Sequence, residues 1–216
     1  MKKKKIIKKS EKKDRYEVQF KWVLIIMGII VLITILTYFI IKSFENFEYA
    51  GIKFQKIMYD KLPLFYSKIP LYKNSGELGA YYNLYLRYDP RKLDIPVIGS
   101  IKLSENSILS ADESINQCED VGIAMYALSG FLKIASGNIT LASTDRNYAE
   151  QRNITYATCD TSQEGSVIIL KSVNNTSIYQ EKPNCYIIEF KDCEIEKAVE
   201  RFIVAGIANA QGNDIK

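Results

Sequence analysis

The chain contains no histidine. That absence removes serine-histidine-aspartate and cysteine-histidine nucleophile activation, a histidine general base, and histidine-ligated zinc or non-haem iron. An enzyme built from this sequence would have to use carboxylates, lysine, tyrosine or a bound cofactor. Cysteine is scarce as well: there are four, Cys118, Cys159, Cys185 and Cys193, and no two stand in a C-x2-C or C-x4-C pair. An all-thiolate zinc site therefore has no spacing to support it. No glycine-rich phosphate loop, dinucleotide fingerprint or haem motif occurs, so no cofactor and no metal are expected. No internal repeat or low-complexity linker interrupts the chain beyond its first 21 residues.

What is present is one long uncharged, mostly apolar run, Trp22 to Ile41, preceded by a lysine-rich head. About twenty such residues at roughly 1.5 Å rise make a helix of about 30 Å, enough to cross a bilayer's hydrocarbon core. From Met1 to Lys21, ten Lys and Arg face three Asp and Glu, so the head carries about +7 of an overall +4 and the rest sums to about −3. Positive flanks are retained in the cytoplasm, which predicts an inside N-terminus and an outside C-terminal domain in the plasma membrane. A cleaved signal peptide is the competing reading, but its apolar region would be shorter, and Ala50 has Glu48 where a small residue is needed. The bilayer is thus the one partner the sequence names, through residues 22–41. The head's lysines could also meet polyphosphate, but topology already accounts for them and no nucleic-acid partner is expected.

About 175 residues follow the anchor, enough for one domain with a real core. The organisation expected is a basic head (1–21), the transmembrane helix (22–41), an aromatic membrane-proximal segment (42–79), an extracytoplasmic α/β domain (80–210) and a polar tail (211–216). About half of the fifteen tyrosines fall between Tyr49 and Tyr88. An aromatic platform for sugar or for the membrane interface would use such residues, and ordinary sheet packing, the simpler reading, would too.

Tyr82, Leu84, Leu86 and Tyr88 alternate with Tyr81, Asn83, Tyr85 and Arg87, the period of a strand with one buried face. Asp89-Pro90 ends it, and a second strand is expected over 97–103. Within Cys118–Ser136, Val121, Met125, Leu128, Leu132 and Ala135 recur at helical spacing, with Asn116 as N-cap and Gly137 closing the end. Short strands are expected over 139–143 and 154–159. A three-strand meander then runs through 167–173, 176–180 and 185–190, its first turn using the tolerance of Asn174-Asn175 for positive φ. Asp192 caps a last helix over about 194–209, with Ile195, Ala198, Val199, Phe202 and Ile207 on one face. The class is α/β in the α+β sense: a transmembrane helix, then a two-layer domain with a mixed or antiparallel sheet and two main helices (about 118–136 and 194–209).

An even cysteine count on the outer side of a membrane reads as two disulfides. A strand from Cys185 to Phe190 advances about 16 Å, and two further residues cannot return Cys193 to within the roughly 7 Å that a disulfide tolerates. If every turn reverses the chain, Cys118 and Cys193 share one edge and Cys159 and Cys185 the other, which predicts Cys118–Cys193 and Cys159–Cys185. Four sequons, at Asn138, Asn153, Asn174 and Asn175, are N-glycosylation acceptors wherever the machinery exists.

Candidate chemistry is thin. Asp112, Glu113, Glu119 and Asp120 could supply paired carboxylates or a hard-cation site, but a helix start explains the last two without function. Ser129 and Lys133 are spaced S-x-x-x-K rather than S-x-x-K. The loop Asp89 to Asp94 mixes both charges between strands, as a binding loop or a solvated turn would.

The stretches YYNLYLRYDPRKLDIPV (81–97), CEDVGIAMYALSGFL (118–132) and CYIIEFKDCEIEKAVERF (185–202) behind an N-terminal anchor resemble single-pass membrane proteins of archaea with a disulfide-containing extracytoplasmic domain. No activity attaches to that group, so the resemblance implies a topology and no site residue. The function expected is a membrane-anchored binding or structural module of the cell envelope, with an envelope protein or a glycan as its partner. The alternatives are a histidine-independent envelope hydrolase or transferase using carboxylates, and an accessory or sensor subunit of a membrane complex.

Overall fold

A computed structural model of the chain describes residues 2–72, 75–161 and 165–213, with the side chains of 2–18 and of 41, 43 and 44 outside the description. The lysine head's side chains up to Arg15 and the last three residues of the polar tail therefore lie outside the described residues. The chain divides into two compact units, Met1–Phe47 and Glu48–Lys216.

The first unit is helix α1 (Lys2–Glu45). Its stretch Gln19–Ile40 is long and apolar enough to cross a membrane, and none of that stretch is buried by protein. The hydroxyls of Thr34 and Thr37 donate to the carbonyls of Ile30 and Ile33, so both threonine hydroxyls in the run are satisfied within the helix.

Two sheets follow α1 in the chain. The smaller is a four-stranded meander of β1 (Asn46–Tyr49), β2 (Ile52–Tyr59), β3 (Leu62–Tyr72) and β4 (Leu78–Leu86) in sequential order. Its inner face buries Ile52, Phe54, Phe65, Ile69, Leu84 and Leu86, the alternation expected of a sheet with one covered face. The tyrosines go elsewhere: Tyr81 and Tyr85 are exposed, with Tyr85 against Tyr66 at 5.1 Å between ring centroids and Lys68 over the Tyr81 ring at 4.1 Å. At the first turn Ala50 and Gly51 both have positive φ, as a two-residue hairpin of primed type requires.

The larger sheet contains β5 (Val97–Ile98), β6 (Asn106–Ala111), β7 (Asn138–Ser143), β8 (Thr155–Tyr156), β9 (Ser166–Ser172), β10 (Ser177–Lys182) and β11 (Cys185–Phe190). Their spatial order is β5-β10-β11-β9-β6-β7-β8. From β11 to β8 every neighbour pair is parallel, while β10 is antiparallel to β11 and parallel to β5. Helix α2 (Val121–Ser136) links β6 to β7, and helix α3 (Arg146–Arg152) links β7 to β8. Helix α4 (Ile195–Ala210) closes the chain and packs on α2 and on β11. The α+β class with its N-terminal apolar helix and mixed sheet is the one the residue patterns predict.

Several local expectations are corrected. The segments 167–173, 176–180 and 185–190 are strands but not a meander: β11 lies between β9 and β10 and runs parallel to β9. The cause is burial. VIIL in β9 and CYII in β11 are covered on both faces, which places both strands centrally, whereas β10 is half-covered. Asn174 and Asn175 accordingly keep negative φ. The strand expected over 154–159 shortens to β8 and runs parallel to β7 rather than reversing it, because α3 supplies an unforeseen crossover. The strand expected over 97–103 stops at Ile98, and β6 takes its place further on. Serines concealed β6: Ser107 shares a 2.6 Å hydrogen bond with Ser136, and Ser110 donates to the Ala157 carbonyl at 2.7 Å. A short 3-10 helix η2 (Glu113–Gln117), capped by Asp112, precedes α2, so the helix starts three residues after Cys118 and Asn116 is no cap. Gly137, with φ 79°, does end it. Asp192 and Cys193 take φ of 48° and 58°, which moves the start of α4 to Ile195.

Candidate functional site

Helix α4 organises the domain's interior. Thirteen of its sixteen residues are buried, on every side of the helix. A helix apolar on all faces needs cover on all faces. The large sheet and α2 supply part of it, and the small sheet together with the segment that follows it, from Arg87 to Ile95, supplies more. Glu196, Glu200 and Arg201 are themselves 4%, 4% and 3% exposed. Each is held. Glu200 accepts from the backbone N–H of Arg87 at 2.5 Å and of Tyr88 at 3.0 Å. The Arg87 guanidinium donates to both oxygens of Glu196, at 2.9 and 3.0 Å. Arg201 donates to the Ile95 carbonyl at 3.0 Å and to the Tyr49 hydroxyl. Burial pushes the Glu200 carboxyl up to about 8, against the pull of its two backbone donors and of Arg87.

At the other end of α4 the same sandwich opens into a cavity of about 680 Å³. Ile69, Leu71 and Tyr82 of the small sheet form one wall, Phe131, Ile134 and Ala135 of α2 another, and Gly206, Ile207 and Ala210 of α4 the floor, with Ile101–Leu103 at the rim. Local sequence explains the space. Small residues in VAGIANA thin the C-terminal half of α4, and the Phe131 ring presses so closely on Gly206 that an added Cβ would lie 2.9 Å from it. Phe202 meets Phe131 and Tyr186 edge to face, which fixes the back wall. The rim segment is clamped: the Tyr186 hydroxyl accepts from the Lys102 N–H at 2.9 Å and donates to the Lys102 carbonyl at 2.8 Å, and Asn209 accepts from the Ile101 N–H at 2.7 Å.

The volume falls in the roughly 300–1,000 Å³ typical of small-molecule sites. Among the described residues Lys102 is the one charged residue that lines it, and its ammonium makes no ion pair there. Tyr82 and Asn209 add polar groups, and burial raises the Tyr82 phenol above its ordinary value, which keeps it a neutral donor. Apolar walls with one cation at the rim suit an amphiphile whose head is anionic.

The residues singled out by sequence lie elsewhere. Disulfides join Cys118 to Cys193, with Cα atoms 5.3 Å apart, and Cys159 to Cys185 at 5.6 Å. Cys159 reaches its partner through the loop after β8, not from a descending strand. The four acids do not converge, and no group of metal-ligating side chains is found among the described residues. Asp112 accepts from the Ser114 N–H at 2.9 Å and from Thr144 at 3.2 Å; burial alone would raise its carboxyl, but these bonds and the charge of Lys171 hold it low. Asp120 stands 3.9 Å from Arg87. Asp112 and Glu113 border a second, smaller cavity of about 160 Å³. Ser129 donates to the Tyr126 carbonyl and is no nucleophile paired with Lys133. The Asp89 to Asp94 loop is a capped 3-10 turn (Pro90–Lys92) in which Arg91 pairs with Asp89 at 2.7 Å. The sequon residues Asn138, Asn153, Asn174 and Asn175 are all exposed.

Comparison of the chain with family models, with curated proteins and with solved structures finds no match.

Proposed function

We propose that this chain is a single-pass protein of the plasma membrane, its N-terminus cytoplasmic and its disulfide-bonded domain extracytoplasmic, and that the domain binds an anionic amphiphile. The observation that carries the reading is the apolar cavity with Lys102 at its rim. Two disulfides fit an oxidising exterior, and the lysine head fits retention inside.

A photoactivatable fatty acid added to membranes holding the full chain tests the binding. It should label peptides containing Ile134 or Ala210, Ala135→Trp should abolish that labelling by filling the cavity, and Lys102→Glu should weaken it about tenfold, the equivalent of 1.4 kcal/mol. Labelling confined to the apolar helix would refute the site. The orientation has its own test. Replacing Lys2 to Lys5, Lys8 and Lys9 by glutamine should send a large fraction of chains in with the domain on the cytoplasmic side, read by protection from an external protease. An unchanged protection pattern in the variant, or a wild-type domain that resists the protease in intact cells, would refute the proposed topology.

A further inference from the structure

The β2–β3 hairpin departs from the rule its own sheet obeys. Near the core, inward residues are buried and outward ones are polar, as with Lys53, Gln55 and Lys68. At the tip the alternation fails and both faces are apolar. Ile57 pairs with Leu64 and Tyr59 with Leu62 on the outer face, while Met58 pairs with Pro63 on the inner one. Met58, Tyr59 and Leu62 are 63%, 72% and 57% exposed, so the tip runs past the protein that covers the rest of the sheet. Its turn is tight, Asp60 with φ 56° followed by Lys61. Lys53, Lys56 and Lys61 outnumber the single acid, Asp60, and all are exposed.

We infer that this hairpin tip is a second membrane contact, a wedge that inserts Met58, Tyr59 and Leu62 into the interface of a leaflet carrying anionic lipid. The chemistry matches that occupant. Interfacial elements combine apolar side chains that enter the acyl boundary, an aromatic hydroxyl at headgroup level, and lysines whose stems lie along the apolar surface while their ammonium groups meet lipid phosphates. An anionic leaflet meets both the apolar side chains of the tip and the exposed Lys56 and Lys61 beside them. The hairpin also starts close to the anchor in the chain: eleven residues separate Ile40, the end of the apolar span, from Ile52, the start of β2, at most about 40 Å of extended backbone. The inference rests on the reading that α1 spans the membrane, and it adds a second point of contact with the bilayer at the hairpin tip.

All four native cysteines are paired, so a thiol-reactive environment-sensitive fluorophore attaches only to an introduced cysteine. Three variants of the full chain, Tyr59→Cys, Val31→Cys and Glu150→Cys, are labelled and reconstituted in vesicles of phosphatidylcholine with phosphatidylglycerol. Glu150 is exposed on α3 and reports water. The expected result is blue-shifted emission at position 59 that loses most of its intensity to a headgroup-level lipid quencher, deeper quenching at 31, and neither effect at 150. Reversing Lys56 and Lys61 to glutamate should return position 59 toward water-like emission. Quenching at 31 with water-like emission at 59 overturns the wedge and leaves the anchor standing; no quenching at either position overturns both.

Discussion

Replacing Cys118 and Cys193 together by serine is expected to destabilise the outer domain by about 4.5 kcal/mol and to lower its melting temperature by about 10 °C. The bridge spans 75 residues, and closing a loop of that length removes a correspondingly large entropy from the unfolded chain. Its position adds to the effect. Cys118 ends η2 just before α2, and Cys193 lies two residues before α4 with a left-handed φ of 58°, so one bond ties the entries of two helices that pack on each other. Cutting the Cys159–Cys185 bridge, which closes only 26 residues, should cost about 3.5 kcal/mol on the same scale. That bridge pins the loop after β8 over Val167, Ile169 and Ile187 on the face of the large sheet opposite α4. Near-ultraviolet circular dichroism of the full chain during thermal unfolding, without reductant, measures both. A loss below 1 kcal/mol for the Cys118 and Cys193 variant would show that the helix entries are held by packing alone.

The elements legible in the sequence are those whose neighbours are ordinary. Leu84 and Leu86 alternate with exposed residues because β4 has one covered face, and the α2 stripe is readable because α2 has one covered side. Where an element is covered on both sides, the period carries no direction. The runs in β9 and β11 announced strands but not their order, because burial on two faces erases the alternation that would distinguish a central strand from an edge. In α4 the face with Glu196, Glu200 and Arg201 reads as solvent-exposed until Tyr49 and the segment from Arg87 to Ile95 are known to cover it. The run IVAGIA at 203–208, apolar on every side, was the available hint of that second cover.

The cavity was not legible for a related reason. Its walls come from β3, β4, the 101–103 segment, α2 and α4, spread along the chain from Ile69 to Ala210, and none of those residues is unusual for its own element. Lys102 looks like any surface lysine in sequence; what sets it apart is the clamp of Tyr186 on its backbone, 84 residues away. The hairpin tip was closer to the surface of the sequence, since IMYDKLPLF contains too many large apolar residues for a solvated turn.

The buried charges of α4 give the other large effect. Arg87→Met should cost about 3 kcal/mol near pH 8.5 and somewhat less near pH 5, where Glu200 carries its proton and no longer draws on the Arg87 charge. The guanidinium is the cation that neutralises Glu196, and removing one partner of a buried pair costs about 3–5 kcal/mol; the lower end applies because the Arg87 side chain is 42% exposed. The pH dependence comes from Glu200. Its folded value of about 8 lies above the 4.5 of an unperturbed glutamate, so the folded state binds its proton more tightly than the unfolded state does. That contribution is complete below about pH 4.5 and is lost as pH rises through about 8, so the wild-type domain should weaken progressively across this interval. Without Arg87 the ionised Glu200 loses the favourable charge of the guanidinium and the decline should steepen, whereas Glu200→Gln, which cannot ionise, should flatten it at some cost in the Arg87 and Tyr88 backbone bonds. Denaturation of wild type, Arg87→Met and Glu200→Gln at pH 5 and pH 8.5 separates the terms. A wild-type domain equally stable at both values, or a Glu200→Gln variant as pH-dependent as wild type, would mean that the two backbone donors keep Glu200 ionised inside the fold and that its burial is already offset.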